Sequence, residues 1–387
     1  MDENHGAAPL PATLKRINMR RFLDELRRSG PSTRADLARA TGVSSPTASR
    51  VVSDLLETGL VEEIELSFKQ RGRPGRLYRL AAKSQYIAGV CVNVAECEIF
   101  WAGLDGIIEK ETFTKFPTPG SYDELIDEIV ERFQKVEALR EGRCYGLGLS
   151  VPGLLEESGR VAFSPNMHIL DKRNIGPDLE DRLNVSVVCL HEVHALSLAE
   201  LMLGEADGLS NFAVVDLTEG LGMGVFLGGK FMQGTNGFAG ELGHITVDPE
   251  GRPCGCGNRG CLETVATDRA LLRSLAERTG RELTMDEALA MVQSGEAKPE
   301  FEQFISYLGI AVAAVINLFN PQAVILYGRI FECREIVIGA LEKEVAARSL
   351  QPAAEDCRLI VAHADKASGT LGALLDSLFS RVGPVLA

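Results

Sequence analysis

The spacing of apolar positions changes along this chain, and each spacing predicts a different element. In "TRADLARATGVSSPTASRVVSDLLETGLV", residues 33 to 61, Leu37 and Ala38 fall on the inner face of one short helix. Ala48, Val51, Leu55 and Leu56 keep helical spacing on a second. Gly42 allows the turn between them and Val43 plugs the corner. The following "GLVEEIELSFKQRGRPGRLYRLA" predicts strands at 60–68 and 76–81 around a Gly, Pro and Arg loop. From about residue 85 the pattern becomes one of short apolar strands divided by glycine-rich turns. "YIAGVCVNV", "CYGLGLSVPG", "SVVCLHEV", "NFAVVDLTEGLGMGVFLGG" and "AVILYG" read as strands. "SYDELIDEIVERFQKVEALR", "VHALSLAELMLG" and residues 301–319 read as helices, so the body is α/β with at least two sheets. The apolar run "YLGIAVAAVINLF", 307–319, is too short to cross a bilayer and predicts a buried helix.

Two short helices joined at a glycine, then a hairpin, form the winged helix-turn-helix pattern. The second helix starts at Ser44 or Ser45 as N-cap with Pro46 in its first turn, and its N-terminal end is the part that enters a major groove. Ser44, Ser45, Thr47, Ser49, Arg50 and Ser53 are left outside; hydroxyls and an arginine can reach base edges and phosphates. A merely solvated face would also carry Ser and Thr, but small Ala38 and Gly42 occupy the positions that helix packing and the turn require. At the wing tip, Arg71, Arg73 and Arg76 stand on a backbone kept slim by Gly72 and Gly75, as phosphate or minor-groove contacts demand; a disordered linker is the rival reading for the tip alone.

Charge supports the division. Residues 1–83 hold 15 Lys and Arg against 10 Asp and Glu, whereas the remainder holds 25 against 44 within an overall charge of -14. A basic head on an acidic body points to a polyanion at the head, with nucleic acid the obvious one, and the winged helix-turn-helix narrows that to double-stranded DNA. With 387 residues the chain exceeds one core, so a head over 1–83 and a body of two lobes over 84–387 are expected.

Three of nine cysteines crowd into "PCGCGNRGC", close behind a histidine. Cys254, Cys256, Cys261 and His244 can complete a closed tetrahedral shell, which predicts one structural zinc per chain. A disulfide with a spare thiol, or redox chemistry, is the rival. "MDENHGAAPLPATLKRINMR" lacks the apolar core of a secretory signal, so a cytoplasmic, reducing setting is expected and disulfides are not. The glycines at 255, 257 and 260 suit a tight knuckle, and Cys91, Cys97, Cys144, Cys189, Cys333 and Cys357 read as small buried hydrophobes. The glycine-rich run "EGLGMGVFLGGKFMQGTNGFAGELGH" leads into Glu241 and His244, and Glu263 follows the last cysteine. Carboxylates on a braced loop are what a polyhydroxylated ligand needs, because each accepts several hydroxyl hydrogen bonds.

"LTEGLGMGVFLGGKFMQGTNGFAGELGH", the "H…CGCGNRGCLE" motif and "VPGLLEESGRVAFSPNMHI" resemble the ROK family, which takes its name from repressors, open reading frames and kinases. The resemblance covers essentially the whole chain. It implies a two-lobed sugar-kinase, actin-like ATPase fold behind the winged head that ROK repressors carry. It further implies that sugar hydroxyls are held by Asn166, Glu192, Glu241, His244 and Glu263, with His244 giving one ring nitrogen to zinc and one to the ligand. A turn-forming role for Asn166 and a solvated loop position for Glu192 are the rival readings.

ROK kinases carry an Asp-x-Gly-Gly-Thr phosphate loop, a second Gly-Thr-Gly loop and an Asn-Asp pair before the catalytic helix. This chain has Asn93, Val94, Ala95, Glu96 and Cys97 in the first, Gly220, Leu221 and Gly222 in the second, and His191 and Glu192 at the pair. Tyr327 takes space a nucleotide would use. These departures predict no catalytic residues, no ATP and no phosphoryl transfer, which depends on positioning and charge. The expected function is a DNA-binding transcriptional repressor whose palindromic operator is released or gripped according to a bound sugar or sugar phosphate. A homodimer or homotetramer is expected, with no membrane partner. The alternatives are a sugar kinase with an accessory head, or a regulator controlled by a protein partner with a vestigial sugar site.

Overall fold

The computed structural model describes residues 11–64, 76–82 and 84–383. The head opens with α1 (Pro11–Ser29), followed by β1 (Ser32–Thr33), α2 (Arg34–Thr41), α3 (Ser45–Glu57), β2 (Val61–Ile64) and β3 (Leu77–Leu80). Local chemistry fixes its corners. Thr33 and Asp36 form a reciprocal capping box on α2, Gly42 takes a left-handed φ of 70° that ends it, and the Ser44 side chain caps α3 ahead of Pro46. The buried stripe of α3 is Ala48, Val51, Val52 and Leu55. Leu56, expected inside, is only half-buried. Val52 is buried instead, and α1 packs on α3, while Leu56 lies at the edge of the same cluster. The strands β1, β3 and β2 pair antiparallel. Residues 65–75, and with them the outer part of the expected wing, lie outside the described residues.

Lobe 1 begins with β4 (Gln85–Cys91), β5 (Glu96–Gly103), β6 (Thr114–Pro117), α4 (Tyr122–Glu137) and β7 (Arg143–Val151). After the small hairpin β8 (Leu154–Leu155) and β9 (Val161–Phe163) come α5 (Ile175–Leu183), β10 (Val187–His191) and α6 (Glu192–Leu203). Lobe 2 carries β11 (Phe212–Asp216), β12 (Gly222–Leu227), β13 (Lys230–Phe231), α7 (Asp268–Thr279), α8 (Met285–Ser294) and α9 (Lys298–Phe319). It continues through β14 (Ala323–Tyr327), α10 (Arg334–Arg348), α11 (Gln351–Asp356) and β15 (Arg358–Val361), and the last helix is α12 (Lys366–Val382).

The two five-stranded sheets share one topology. Lobe 1 is ordered β10-β7-β4-β5-β6 and lobe 2 β15-β14-β11-β12-β13, each with three parallel strands followed by an antiparallel meander. This duplication is the kinase-like architecture that the motifs imply. The parallel strands β4, β11 and β14 are buried on both faces, which explains their unbroken apolar runs. Among the described residues α9 is the one helix long and apolar enough to span a membrane by composition, yet more than half of its most apolar window is buried in lobe 2. It is a core helix. Its Phe304, Leu308, Val312 and Val315 join the cluster that also holds α8 and α10.

The last helix returns to lobe 1 and packs on α6, β4 and β7 while touching α1. Head and lobe 1 therefore share one apolar cluster, in which Phe22, Leu23 and Leu55 meet Ile87, Phe100, Leu371 and Phe379. Of the six dispersed cysteines, Cys91, Cys97 and Cys333 are buried as expected, whereas Cys144, Cys189 and Cys357 are only half-buried.

Candidate functional site

The glycine-rich run and the cysteine knuckle meet at the mouth of the cleft between the lobes. After β12 and β13 the chain enters a short 3-10 turn, Leu242–His244, preceded by Glu241. A second 3-10 turn, Leu262–Thr264, follows Cys261 directly and fixes Glu263, which is buried. His244 lies between the two carboxylates: its Nε2 is 3.7 Å from Glu241 and its Nδ1 3.7 Å from Glu263. Asn166 Nδ2 donates to Glu263 Oε2 at 3.2 Å. Gly220 makes this approach possible, since a Cβ there would lie 2.9 Å from Asn166 Nδ2 and 3.2 Å from Glu263 Oε2. Asn166, Glu241, His244 and Glu263 thus converge from separate segments. Burial, then the charges of Glu263 and Glu192, pushes the Glu241 carboxyl up to about 7.

The four expected metal ligands also converge. The ligand atoms of His244, Cys254, Cys256 and Cys261 all lie within 4.8 Å of one another. Cys256 Sγ is 3.7 Å from Cys261 Sγ, and Cys254 Sγ is 3.6 Å from His244 Nδ1. Tetrahedral zinc, with bonds of about 2.3 Å to sulfur and about 2.0 Å to nitrogen, sets its ligand atoms about 3.6–3.8 Å apart. The donor set and its spacing fit that ion. The knuckle is tied to the carboxylate cluster through its backbone: Gly255 lies against the Pro165 carbonyl, beside Asn166, and Gly260 lies against the Asp248 carbonyl. A side chain at either would strike backbone.

Deeper in the cleft the expected Glu192 is the first residue of α6, capped by His191, whose Nδ1 accepts from the Val193 N–H at 3.2 Å. It is not a solvated carboxylate. Lys366, the first residue of α12, donates to Glu192 Oε2 at 2.8 Å and stands 2.6 Å from Asp216 Oδ2. Burial opposes the ammonium charge, but Asp216 and Glu192 outweigh it and hold Lys366 charged well beyond the ordinary lysine range. Asp216 and Lys366 have no counterpart among the residues expected from sequence. Around them is a cavity of about 400 Å³ lined by Asn93, Glu96, Glu192, Thr218, Tyr327 and Lys366, among others. Glu96, in the segment that replaces the first phosphate loop, is paired with Lys115 at 3.1 Å. Asn93 folds back and donates to the Glu96 carbonyl at 3.2 Å.

On the head, Ser44, Ser45, Ser49 and Arg50 are exposed on one end of α3, and Thr47 is half-buried among them. The Ser44 hydroxyl is engaged in capping and contacts Thr47 Oγ1 at 2.9 Å. Arg50 forms no ion pair among the described residues. Arg76, at the base of the wing, pairs with Glu63 at 3.0 Å across the sheet, a half-exposed pair that a phosphate can displace at little cost. Arg71 and Arg73 lie outside the described residues.

Residues 90–378 match the model of the ROK family, and residues 20–67 match that of the MarR family. The xylose repressor of Bacillus subtilis is 29% identical over 339 residues, covering 87% of this chain and 88% of that protein. A crystal structure described as a ROK family transcriptional regulator, homologous to the Mlc protein of Escherichia coli, aligns with a TM-score of 0.78 at 27% identity, covering 96% of this chain and 99% of the other. A ROK hexokinase from Thermus thermophilus aligns over 77% of this chain and all of its own length, with a TM-score of 0.60 and 28% identity.

Proposed function

Because this chain belongs to the ROK family, with a MarR-type helix-turn-helix at its front, we propose that it is a transcriptional repressor of carbohydrate genes. Its operator binding is modulated by a sugar or sugar derivative held in the interlobe cleft. The observation that carries this reading is the contrast within one cleft. On the side proposed to bind hydroxyls, Asn166 bonds Glu263 and His244 lies between Glu263 and Glu241. The phosphate side presents Asn93, Glu96, Tyr327 and a buried Lys366. Phosphoryl transfer requires an aligned base and a cradle for phosphate oxygens and metal. Lys366 sits on the Glu192 carboxylate that would serve as base, so the reading includes the absence of kinase activity.

In this proposal Asn166, Glu192, Glu241, His244 and Glu263 bind the effector. His244, Cys254, Cys256 and Cys261 hold one zinc, which when bound braces the knuckle as a closed structural site. Ser44, Ser45, Thr47, Ser49 and Arg50 meet the major groove, with the wing arginines on the backbone. The functional boundary is placed near residue 83, between the end of β3 and the start of β4. Two heads are needed to read a palindrome, so the working form is a homodimer or homotetramer. Effector and operator affinities are then linked by one reciprocal coupling free energy.

The test is a thermal-shift screen of metal-loaded protein against D-xylose, D-glucose, N-acetyl-D-glucosamine, their phosphates and ATP, followed by DNA binding with each hit. A sugar that raises the melting temperature and changes affinity for a selected duplex supports the reading. ATP-dependent formation of a sugar phosphate overturns it.

A further inference from the structure

Lys366 joins three elements at one point: its own helix α12, Glu192 at the start of α6, and Asp216 at the end of β11. Helix α12 packs on the lobe 1 sheet, Asp216 belongs to the lobe 2 sheet and α6 packs on both, so the contact of Lys366 with Asp216 ties one lobe to the other. Asp216 is 3% exposed, Lys366 11% and Glu192 21%, so the pair with Asp216 is the more shielded of the two. The other Asp216 oxygen accepts from Thr218 N–H at 3.0 Å and from its hydroxyl at 2.7 Å, which fixes the carboxylate in place. Glu192 has no such anchor beyond Lys366 and is the mobile partner. It is also a proposed effector ligand, so hydroxyls that approach it compete with the ammonium for the same oxygens.

The other end of the same helix holds the head. Arg20 of α1 is 3% exposed and donates to the Asp376 carboxylate, to the Asp376 carbonyl at 2.9 Å and to Ser380 Oγ at 2.8 Å. Arg16 donates to the Val382 and Arg381 carbonyls at 3.0 and 3.1 Å. α1 in turn packs on α2 and α3, the helices of the DNA-reading unit. A helix of 17 residues is about 25 Å long and stiff on that scale.

We propose that Lys366 is the positioning residue that couples the cleft to the DNA-binding head: it locks the lobes in one arrangement, and loss of Glu192 to a bound sugar moves α12 and, through Arg20, the reading helix. This rests on the effector reading above for the identity of the trigger, but the mechanical link does not. Lys366→Met alone would leave the buried Asp216 and the part-exposed Glu192 both without their cation, so the informative variant is Asp216→Asn with Lys366→Met, in which Glu192 alone stays charged and can turn to solvent. The full-length protein is tested against the tightest duplex recovered from a random-sequence library by selection.

Without any sugar, the double variant is expected to bind that duplex about tenfold less tightly than the wild type, within the usual range of coupling between sites. Backbone amide exchange should quicken in α1, at the far end of α12, and stay unchanged in β14 beside the substitutions; a local structural lesion would give the reverse. Unchanged duplex affinity, or faster exchange confined to β14, overturns the inference. Should the double variant fail to fold, Asp376→Asn at the exposed end of α12 decides: weakened duplex binding with an unchanged response of the melting temperature to D-xylose, D-glucose or N-acetyl-D-glucosamine supports the link, and wild-type duplex binding overturns it. A wild type indifferent to every sugar, with the double variant still weakened on DNA, sinks the sugar reading and leaves the coupling standing.

Discussion

Gly220→Ala tests the carboxylate cluster with a single methyl group. Gly220 is absent from the residues of positive φ, so alanine suits its backbone, and the only conflict is with what the Cβ meets. That conflict is specific: 2.9 Å to Asn166 Nδ2 and 3.2 Å to Glu263 Oε2, both nearer than ordinary van der Waals contact. Asn166 must retreat by about half an ångström, which stretches its 3.2 Å bond to Glu263 beyond hydrogen-bond range. Loss of this part-buried, charge-assisted hydrogen bond costs about 1.5–3 kcal/mol of order in the cradle, and a sugar that has to restore it should bind roughly ten- to a hundredfold less tightly. Gly222→Ala is the internal control, because two residues along the same segment a Cβ would find only ordinary contact, Val193 Cβ at 3.4 Å. Calorimetric titration with the sugar identified by thermal shift gives both affinities, and duplex binding without sugar shows whether the head is intact. If the two variants bind the sugar equally well, Asn166 and Glu263 do not form its cradle.

Three further expectations concern other parts of the molecule. Cys256→Ser should reduce bound zinc from one per chain to well below that by elemental analysis, lower the melting temperature and abolish the sugar response; a metal-free variant with undiminished sugar affinity would separate the knuckle from the cleft. Arg50→Ala should cost about 1–3 kcal/mol on the selected duplex if the guanidinium reads a base, or weaken all duplexes alike and reduce the salt slope by about one if it meets a phosphate; unchanged binding would remove α3 from the interface. His194 stacks on Phe231 with ring centroids 3.8 Å apart, and burial, helped by His191, pulls its imidazole down to about 4. The unfolded chain takes up that proton first, so stability present above pH 6.5 is lost as pH falls toward 4, by about 2 kcal/mol between pH 7 and 5. Urea midpoints at those two pH values should fall less for His194→Phe than for the wild type, and equal falls would refute the assignment.

What could be read from sequence was whatever is local along the chain. Gly42, Ser44 and Pro46 announce a turn and a cap within five residues, and both appear where the spacing predicts them. The knuckle was legible because its three thiols fall within eight positions, and the carboxylates because they flank it. Helix α1 was within reach of the same reasoning, since Met19, Phe22, Leu23 and Leu26 keep helical spacing. Lys366 was not. Its partners are 174 and 150 positions away, and a lone lysine after Asp365 in "AHADKASG" has the look of an exposed helix start. Lys115 beside Glu96 escaped for the same reason, because the pairing depends on β5 and β6 lying antiparallel.

That asymmetry bears on how a kinase-like body serves as a switch. In a two-lobed fold, closure around a ligand needs the lobes to be separable and something to hold them when the ligand is gone. A nucleotide and its metal bridge the lobes of a kinase only when bound. Here Lys366 supplies a positive charge between the Glu192 and Asp216 carboxylates permanently, from within the chain. On the proposed reading, a resident bridge in place of a diffusible one would dispense with phosphoryl transfer and keep the mechanics, provided Glu192 exchanges one partner for another. The exchange can matter to DNA only if its free energy exceeds thermal noise, and a coupling of about 1–3 kcal/mol meets that condition. A shielded ion pair is of that order, whereas the exposed pairs elsewhere on the body, such as Arg182 with Asp127, are too weak to carry a signal. The position of the tie, in the cleft and at the end of the one helix that also holds the head, is therefore the feature on which the regulatory reading stands or falls.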